Sequence, residues 1–166
     1  MIMREIKTSD AEKFSNLTPQ VEAESEYMLW EAGERNVQIE QQLKMIEGIE
    51  QKDNSTILVA EKDNKDLVGF LMSVGGNAKR NKHSSYIVMG ILKEYRGKGI
   101  GTKLFEELER WALNHNIHRL ELTVVTRNEA ALSLYKKMGF EIEGTKRHSL
   151  CIDGEFVDEY DMSKLL

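Results

Sequence analysis

The sequence predicts an α/β fold in which a central, twisted, mixed sheet of about six to seven strands is flanked by about four helices. Strand-like and amphipathic helical runs alternate along the chain in the order β-α-α-β-β-β-α-β-α-β-β. An apolar run at 85–92 leads directly into a glycine cluster and then a helix, which is typical of α/β folds. The length of 166 residues suits one domain, and neither a repeat nor a linker divides it, so we expect a single domain over 1–166.

The N-terminal part is predicted to hold one strand and two helices. Residues 1–7 form a short apolar strand pattern, and Ser9 followed three residues later by Glu12 matches a capping box that opens a helix. Apolar residues return at helical spacing through 36–50, which predicts the second helix. The acidic and aromatic segment 19–35 has no clear period, and we expect it to be partly helical.

The middle of the chain is predicted to form a hairpin, a strand, a loop and a helix. Short β-branched runs at 56–61 and 67–74 flank a polar turn, which is the pattern of a hairpin. The run at 85–92 is almost wholly apolar, as expected for a strand that is buried on both faces. An apolar stripe that begins at Leu104 predicts a helix that starts near the glycines and ends by Asn114.

The C-terminal third is predicted to hold a strand, a helix and a closing hairpin. Asn128 is a good N-cap for a helix over 129–138, and Gly139 is a typical stop signal. Asp153-Gly154 is a strong signal for a two-residue hairpin turn. The strand patterns that accompany these signals are 119–125, 140–150 and 155–162.

Composition and charge exclude several classes of function. Lys and Arg number 23 against 28 Asp and Glu, so the formal net charge is −5 and nucleic acid is not an expected partner. No run approaches the roughly eighteen apolar residues that would indicate a membrane span. Cys151 is the single cysteine, so no internal disulfide forms, and the first residues lack a signal-peptide pattern. We therefore expect a reducing, cytoplasmic location and no membrane partner.

The glycine cluster is the first candidate site, and Arg96 and Lys98 add positive charge to it. Its three glycines are Gly97, Gly99 and Gly101. The N–H groups at a helix N-terminus bind anions such as phosphate, and glycines let the backbone approach them closely. The alternative is a strand-to-helix turn that needs left-handed residues. Counted from Gly97, the Walker pattern requires a glycine at position 102, and the dinucleotide-binding pattern requires a glycine or alanine there. This chain has Thr102, so neither pattern fits.

Two motifs in order give the chain a resemblance to a known family. The pattern Arg-x-x-Gly-x-Gly after a buried strand matches residues 96–101, and Asn-x-x-Ala…Leu-Tyr-x-x-x-Gly-Phe matches Asn128 to Phe140. In these motifs and in its order of elements the chain resembles the GCN5-related N-acetyltransferase (GNAT) family over nearly its whole length. The tail 154–158 with Met162 is similar to branches that acetylate free amino acids, polyamines or ribosomal-protein termini.

The resemblance implies a coenzyme site on this chain. In the family the pyrophosphate of acetyl-coenzyme A lies on the loop amides, and free amides of the preceding strand bind the pantetheine arm and polarise the thioester carbonyl. Tyr135 matches the general acid that protonates the departing thiolate, with a plain core aromatic as the alternative. The implied coenzyme-binding residues are Met89, Gly90, Ile91, Arg96, Gly97, Lys98, Gly99, Ile100, Gly101, Thr102, Asn128, Ala131 and Tyr135.

The acceptor half of the site has weaker sequence signals. Branches that modify ribosomal-protein termini carry a carboxylate where this chain has Thr123, which weighs against a protein terminus as acceptor. We expect Glu121 to act as base through a water, with Thr123, His83 and three glutamates between the first two helices as alternatives. In the family that segment walls the acceptor pocket. The residues expected to bind the acceptor are Glu26, Trp30, Glu31 and His83.

The resemblance therefore implies an acetyl-coenzyme A-dependent N-acetyltransferase that acts by direct attack of a primary amine on the thioester, without a metal. A small amine such as an amino acid or polyamine is the expected acceptor, because carboxylates attract a cation. The alternatives are a catalytically silent acyl-coenzyme A-binding regulatory module, a protein N-terminal acetyltransferase and a different phosphate-ligand domain. Whether the chain forms a homodimer stays open.

Overall fold

The computed structural model covers residues 1–166 and has the helices and strands in the predicted order. The strands are β1 (Ile2–Glu5), β2 (Thr56–Glu61), β3 (Leu67–Gly75), β4 (Ser84–Ile91), β5 (Arg119–Val125), β6 (Glu141–Ile152) and β7 (Glu155–Leu165). The α-helices are α1 (Ala11–Glu24), α2 (Ile39–Glu50), α3 (Ile100–Asn114) and α4 (Glu129–Lys137). The expected α/β fold with a mixed sheet is confirmed. No helix is long and apolar enough to cross a membrane.

All seven strands form one sheet in the order β1-β2-β3-β4-β5-β7-β6. β4 and β5 are parallel, and every other neighbouring pair is antiparallel. A parallel pair needs a crossover connection, which α3 supplies. β4 and β5 pair only where Ser84, Ser85 and Tyr86 meet the first three residues of β5. We call the unpaired stretch between the C-terminal parts of these two strands the β4–β5 gap.

Helices cover the two faces of the sheet unequally. On one face Leu104 and Phe105 of α3 pack into a core with β5, and α4 packs beside them. On the other face α1 and α2 cover β2, β3 and the near edge of β4. The β4 side chains Tyr86 and Val88 on that face are 41% and 39% exposed, so the expected burial of 85–92 on both faces is wrong. We call the uncovered part of this face, over β4, β5 and β7, the open face.

The start of α1 differs from the capping box expected at Ser9 and Glu12. A 3-10 turn precedes the helix, and the N-cap residue Asp10 makes no side-chain cap. The Asp10 carboxylate instead accepts a hydrogen bond from the Lys7 amide at 2.8 Å and pairs with the Arg4 guanidinium. A tertiary ion pair with β1 therefore fixes this turn, and the local sequence pattern does not reveal such a contact.

The connection between α1 and α2 is mostly a loop. Helix α1 includes only the first part of the segment 19–35, and residues 25–38 form turns and bends. The expectation of a partly helical segment is confirmed, with the helix limited to residues 19–24, because the rest lacks the apolar stripe that would hold a helix against the sheet. Arg35 anchors the loop, since its guanidinium pairs with the buried Glu22 carboxylate and lies 5.2 Å from the Trp30 ring centroid.

Two local predictions in the C-terminal third are confirmed. Asn128 caps α4, because its side-chain oxygen accepts a hydrogen bond from the Ala131 amide at 3.3 Å. Asp153 and Gly154 form the turn between β6 and β7 with φ values of 51° and 79°. Positive φ at both central residues is what a type I′ hairpin turn requires.

Candidate active site

The glycine loop joins β4 to α3, and its glycines serve two different purposes. Gly97 and Gly99 have φ values of 71° and 81°, in the left-handed region that glycine adopts without strain. Gly101 lies inside α3, where an added Cβ would be 2.7 Å from the Leu134 Cδ2 atom. The first two glycines therefore shape the turn, whereas Gly101 allows α3 to pack closely against α4.

The first turn of α3 presents free backbone N–H groups. Gly99 is the N-cap residue, and its carbonyl accepts the first intrahelical hydrogen bond, from the Lys103 amide. The N–H groups of Ile100, Gly101 and Thr102 precede that bond and have no intrahelical acceptor. They lie at the positive end of a 15-residue helix, as predicted for an anion site.

Arg96 has a different place from the one expected. Its amide donates to the Lys93 carbonyl, so it is not one of the free loop amides. Its guanidinium donates to the Ile91 carbonyl at 3.0 Å and to the Glu24 carbonyl at 3.2 Å. Arg96 therefore fastens the end of α1 and the end of β4 to the loop. Lys98 keeps an exposed ammonium group 5.4 Å from the Tyr95 ring centroid.

Helix α4 lies beside the loop. Asn128 and Ala131 belong to its first turn, which follows the C-terminal end of β5 as α3 follows β4. The Lys137 ammonium at the other end of α4 donates to the Thr102 hydroxyl at 3.3 Å. Sequence reasoning missed Lys137 because the motif leaves this position free, although it adds a positive charge next to the free amides.

The β4–β5 gap exposes the edge of β4. Leu92 donates to Val68, and Gly76 donates to Ser84, so the even-numbered residues of β4 bond to β3. Alternation in an antiparallel ladder then turns the N–H groups of Met89 and Ile91 toward the gap. Of the three amides expected to face the coenzyme, the middle one does not, because Gly90 belongs to the set that bonds to β3.

Gly90 has a packing role instead. A Cβ at this position would lie 2.4 Å from the Val21 Cγ1 atom and 2.9 Å from the Phe70 Cε1 atom. Both distances are far below ordinary carbon contacts of about 3.5–4.0 Å. The missing side chain therefore lets α1 rest directly on β4, between the two residues whose amides line the gap.

Tyr135 is buried on α4, with 9% of its surface exposed. Its ring packs edge-on against Phe105 and at a tilt against Phe140, and its hydroxyl makes no hydrogen bond to another protein group. Burial raises the pKa of Tyr135 to about 12, and the nearby Tyr86 adds to this effect. The phenol is therefore protonated at neutral pH and free to donate a hydrogen bond to a ligand.

The raised pKa limits what Tyr135 can do as an acid. A thiol in water has a pKa of about 8.5, so complete proton transfer from a phenol of pKa about 12 to its thiolate costs about 5 kcal/mol. The same burial that disfavours a phenolate also disfavours a thiolate beside it, which reduces this cost. Tyr135 is thus suited to hydrogen-bond the sulfur first and to transfer the proton as negative charge develops.

Glu121 lies on the open face, but its carboxylate is already engaged. Arg119 donates to Glu121 at 3.0 Å and also pairs with Glu143. Hydrogen bonds from Ser163 and Arg119 hold the pKa of Glu143 below its ordinary value. The next outward residue of β5, Thr123, hydrogen-bonds through its Oγ1 atom to the Tyr86 hydroxyl at 2.8 Å.

His83 is not in this site. It immediately precedes β4, and its carbonyl accepts hydrogen bonds from the His118 and Arg119 amides at 2.9 and 3.1 Å. These bonds close β4 and β5 at the end opposite the gap. At about 3.3 Å per residue, His83 is about 20 Å along the strand from Met89. This position does not support the expected role of His83 in acceptor binding.

The loop between α1 and α2 follows the helix end at Glu24 and carries exposed acidic and aromatic residues. Glu24 accepts a hydrogen bond from the Lys93 amide, which ties the end of α1 to the segment before the glycines. Trp30 is 41% exposed. The carboxylates of Glu26 and Glu31 are exposed and form no ion pair. No group of three or more potential metal ligands lies together in the chain.

Comparisons with known proteins agree with this arrangement. Residues 18–140 match the Acetyltransferase (GNAT) family. The chain is 33% identical over 101 residues to the L-amino acid N-acetyltransferase AaaT of Escherichia coli (strain K12), a match that covers 60% of this chain and 62% of that protein. The crystal structure of a GNAT-family acetyltransferase from Streptococcus pneumoniae is 32% identical, has a TM-score of 0.95 and covers 99% of each chain.

A more distant structure shares the fold. The structure of yncA from Salmonella typhimurium with acetyl-CoA has a TM-score of 0.87 at 18% identity, over 99% of this chain and 93% of that one. The chain spans less than two thirds of the length of the curated relatives it matches. The family match covers well over half of this chain and contains both motifs, the β4–β5 gap and Tyr135. The chain therefore belongs to the acetyltransferase (GNAT) family.

Proposed function

We propose that the chain is an acetyl-coenzyme A-dependent N-acetyltransferase whose acceptor is a small primary amine. The observation that carries this proposal is the β4–β5 gap, because β4 keeps two unpaired amides, at Met89 and Ile91, next to a helix N-terminus that suits a phosphate. An extended ligand with phosphates at one end and a reactive carbonyl at the other matches that arrangement. Tyr135 supplies a free hydroxyl on the adjacent helix.

The glycine loop fits the pyrophosphate of this coenzyme. No heavy atom lies within 4 Å of the position that a Cβ would take at Gly97 or Gly99, so a bulky anion can reach the backbone there. The N–H groups of α3 and the ammonium groups of Lys98 and Lys137 are the expected contacts. The yncA structure, which contains acetyl-CoA, supports the same choice of ligand.

The chain's own groups account for the chemistry. When bound, acetyl-coenzyme A supplies the thioester carbon that the amine attacks. The Met89 or Ile91 amide donates a hydrogen bond to the carbonyl oxygen as its negative charge grows, an effect worth roughly 10²–10³ in rate for one well-placed donor. Tyr135 donates its hydroxyl proton toward the sulfur as the carbon–sulfur bond breaks.

The acceptor reaches the thioester from the open face. Exposed carboxylates of the α1–α2 loop, including Glu26 and Glu31, favour a cationic amine near this opening. The similarity to an L-amino acid N-acetyltransferase supports a small acceptor. Branches that modify ribosomal-protein termini carry a carboxylate where this chain has Thr123, and this difference weighs against a protein N-terminus as acceptor.

A thiol-release assay tests this proposal. The purified chain is mixed with acetyl-coenzyme A and with L-methionine, L-phenylalanine, spermidine, putrescine or a peptide that begins with alanine. We expect saturable thiol release with at least one of the four small amines. Tyr135→Phe is expected to lower kcat by roughly 10²-fold or more while the calorimetric Kd for coenzyme A stays within about threefold.

The assay separates the alternatives. A silent regulatory module would bind coenzyme A in the calorimeter and release no thiol with any amine. A different phosphate-ligand domain would bind ATP in competition with coenzyme A. Release with the peptide alone would establish a protein N-terminal acetyltransferase and contradict the small-amine proposal.

A further inference from the structure

Asp161 lies directly beside Thr123 on the open face. The two residues are partners in the β5–β7 ladder. In the same ladder the Thr126 amide donates to Asp158 and the Leu166 amide donates to His118, so these are the hydrogen-bonded pairs. Alternation makes Thr123 and Asp161 a pair without backbone hydrogen bonds, in which side chains on one face have Cβ atoms about 4.5–5.5 Å apart.

The Asp161 carboxylate has no partner in the protein. It forms neither an ion pair nor a side-chain hydrogen bond, and it is not sealed from solvent, since the residue is only partly buried. Neighbouring carboxylates differ in this respect. Glu121 and Glu143 share Arg119, and Glu159 accepts a hydrogen bond from the Ser149 hydroxyl.

Asp161 also stands at the right level along the sheet. The β4–β5 register pairs Tyr86 with Glu121, so Thr123 is level with Val88, one residue before the free amide of Met89. Two strand spacings of about 5 Å would separate β7 from β4, and the divergence of β4 from β5 after Tyr86 makes the distance greater than about 10 Å. An acceptor amine over β5 lies between the two strands, with the linked Thr123 and Tyr86 hydroxyls as further hydrogen-bond partners.

We infer that Asp161 is the general base that accepts the acceptor's proton, directly or through one water. This inference rests on the proposed N-acetyltransferase activity. The nitrogen–carbon bond forms as the carbon–sulfur bond breaks, and the ammonium loses two protons on becoming an amide. One of them replaces, by exchange through solvent, the proton that Tyr135 gives to the thiolate. The other passes to Asp161 and then to solvent.

Asp161 is better placed to act as the base than the sequence-predicted Glu121. Protonation of Glu121 weakens the charge-assisted hydrogen bond that its carboxylate accepts from Arg119. Asp161 loses no such contact. Its selection also explains how the site can work with Thr123 in the position where related branches carry a carboxylate, because the ladder sets a carboxylate immediately beside that threonine.

The test compares a protonated acceptor with one that is already neutral. Asp161→Asn is assayed with the best amine of the screen and with hydroxylamine, which is unprotonated at neutral pH, after subtraction of the uncatalysed rate. We expect kcat for the amine to fall by roughly 10²-fold or more. We expect the hydroxylamine rate to change by less than about threefold and Asp161→Glu to recover part of the amine activity, because a neutral nucleophile needs no base before attack.

Asp158→Asn is the matched control. Asp158 lies on the same strand but in the alternate set of side chains, and asparagine can still accept the hydrogen bond that Asp158 receives from the His148 amide. Thermal unfolding and the calorimetric Kd for coenzyme A are measured for each variant and are expected to match the unsubstituted chain. These readouts separate loss of a base from loss of structure.

Three outcomes would overturn the assignment. Unchanged amine turnover in Asp161→Asn removes Asp161 from the reaction. An equal loss with hydroxylamine shows that the residue orients the site instead, and a rise in KM at constant kcat shows that it only binds the ammonium group. Failure of the unsubstituted chain to release thiol with any amine rejects the proposed function itself, which is a different result.

Discussion

Replacing Gly90 with alanine perturbs the contact between α1 and β4. The added methyl carbon would lie 2.4 Å from the Val21 Cγ1 atom, so one of them must move by about 1.1 Å or more to reach an ordinary contact. Val21 is 1% exposed, and valine in a helix has one strongly preferred side-chain rotamer. We therefore expect β4 or α1 to shift, at a cost of about 1–3 kcal/mol in the free energy of unfolding.

The double variant Gly90→Ala/Val21→Ala distinguishes this clash from other causes. Val21→Ala alone removes two buried methyl groups and should destabilise the fold by about 2 kcal/mol, counting about 0.8 kcal/mol for each carbon and a small cavity. In the double variant the new methyl group occupies part of that space. Urea unfolding should therefore give a double-variant loss at least about 1 kcal/mol smaller than the sum of the single losses.

Gly48→Ala is the matched control, because Gly48 is exposed on α2 and an added Cβ would meet no atom within 4 Å. That substitution should stabilise the fold by about 0.5–1 kcal/mol. Gly90→Ala should also weaken coenzyme A binding, since its neighbours carry the gap amides, and the double variant should recover it. Additive stability losses, or a Gly90→Ala variant as stable as the Gly48→Ala control, would refute the close-contact reasoning.

Three further predictions follow from the site. Burial raises the pKa of Tyr135 from 10.0 to about 12, so the phenol ionises in the unfolded chain first between pH 10 and 12. Across this window the free energy of unfolding, measured with urea, should fall by up to about 3 kcal/mol more than in Tyr135→Phe, and below pH 10 the two should show no such difference. Gly99→Ala should cost about 1–2 kcal/mol of stability and lower the calorimetric affinity for coenzyme A, because φ at Gly99 is 81°. Gly144→Ala is the control, because Gly144 has open space around it and no positive φ, and it should stay near the parent in both measurements. His83→Ala should leave kcat/KM within about twofold, since the residue lies about 20 Å from Met89, and a larger loss would contradict its placement at the closed end of β4 and β5.

Much of the fold could be predicted because its signals are local. The Asn128 cap, the Asp153-Gly154 turn and the amphipathic α3 each depend on residues within a few positions of one another. The exceptions at the N-terminus have a common cause. The first turn of α1 is fixed by Arg4 on β1, and the following loop is fixed by the pair between Glu22 and Arg35, so both depend on tertiary ion pairs.

The coenzyme half of the candidate site was predictable for the same reason, and the acceptor half was not. The glycine loop lies in one short stretch of chain, so its glycines and helix start are visible in the sequence. Glu121 and His83 were plausible by residue type alone. Arg119 is two residues from Glu121 on the same strand, so that contact is local, whereas the bonds that place His83 at the closed end of β4 and β5 depend on how the sheet pairs.

The sequence by itself therefore determined the order of elements, the glycine loop with its helix start and the resemblance to the acetyltransferase family, because short-range geometry and hydrophobic period encode them. Only the tertiary structure decided that β4 and β5 separate after Tyr86 and that Asp161 lies beside Thr123. It also decided that Gly90 faces α1 while the amides of its two neighbours face the gap. These features arise from strand register between segments that are far apart in the chain. A shift of one residue in strand pairing would turn the Asp161 side chain to the other face of the sheet, away from Thr123.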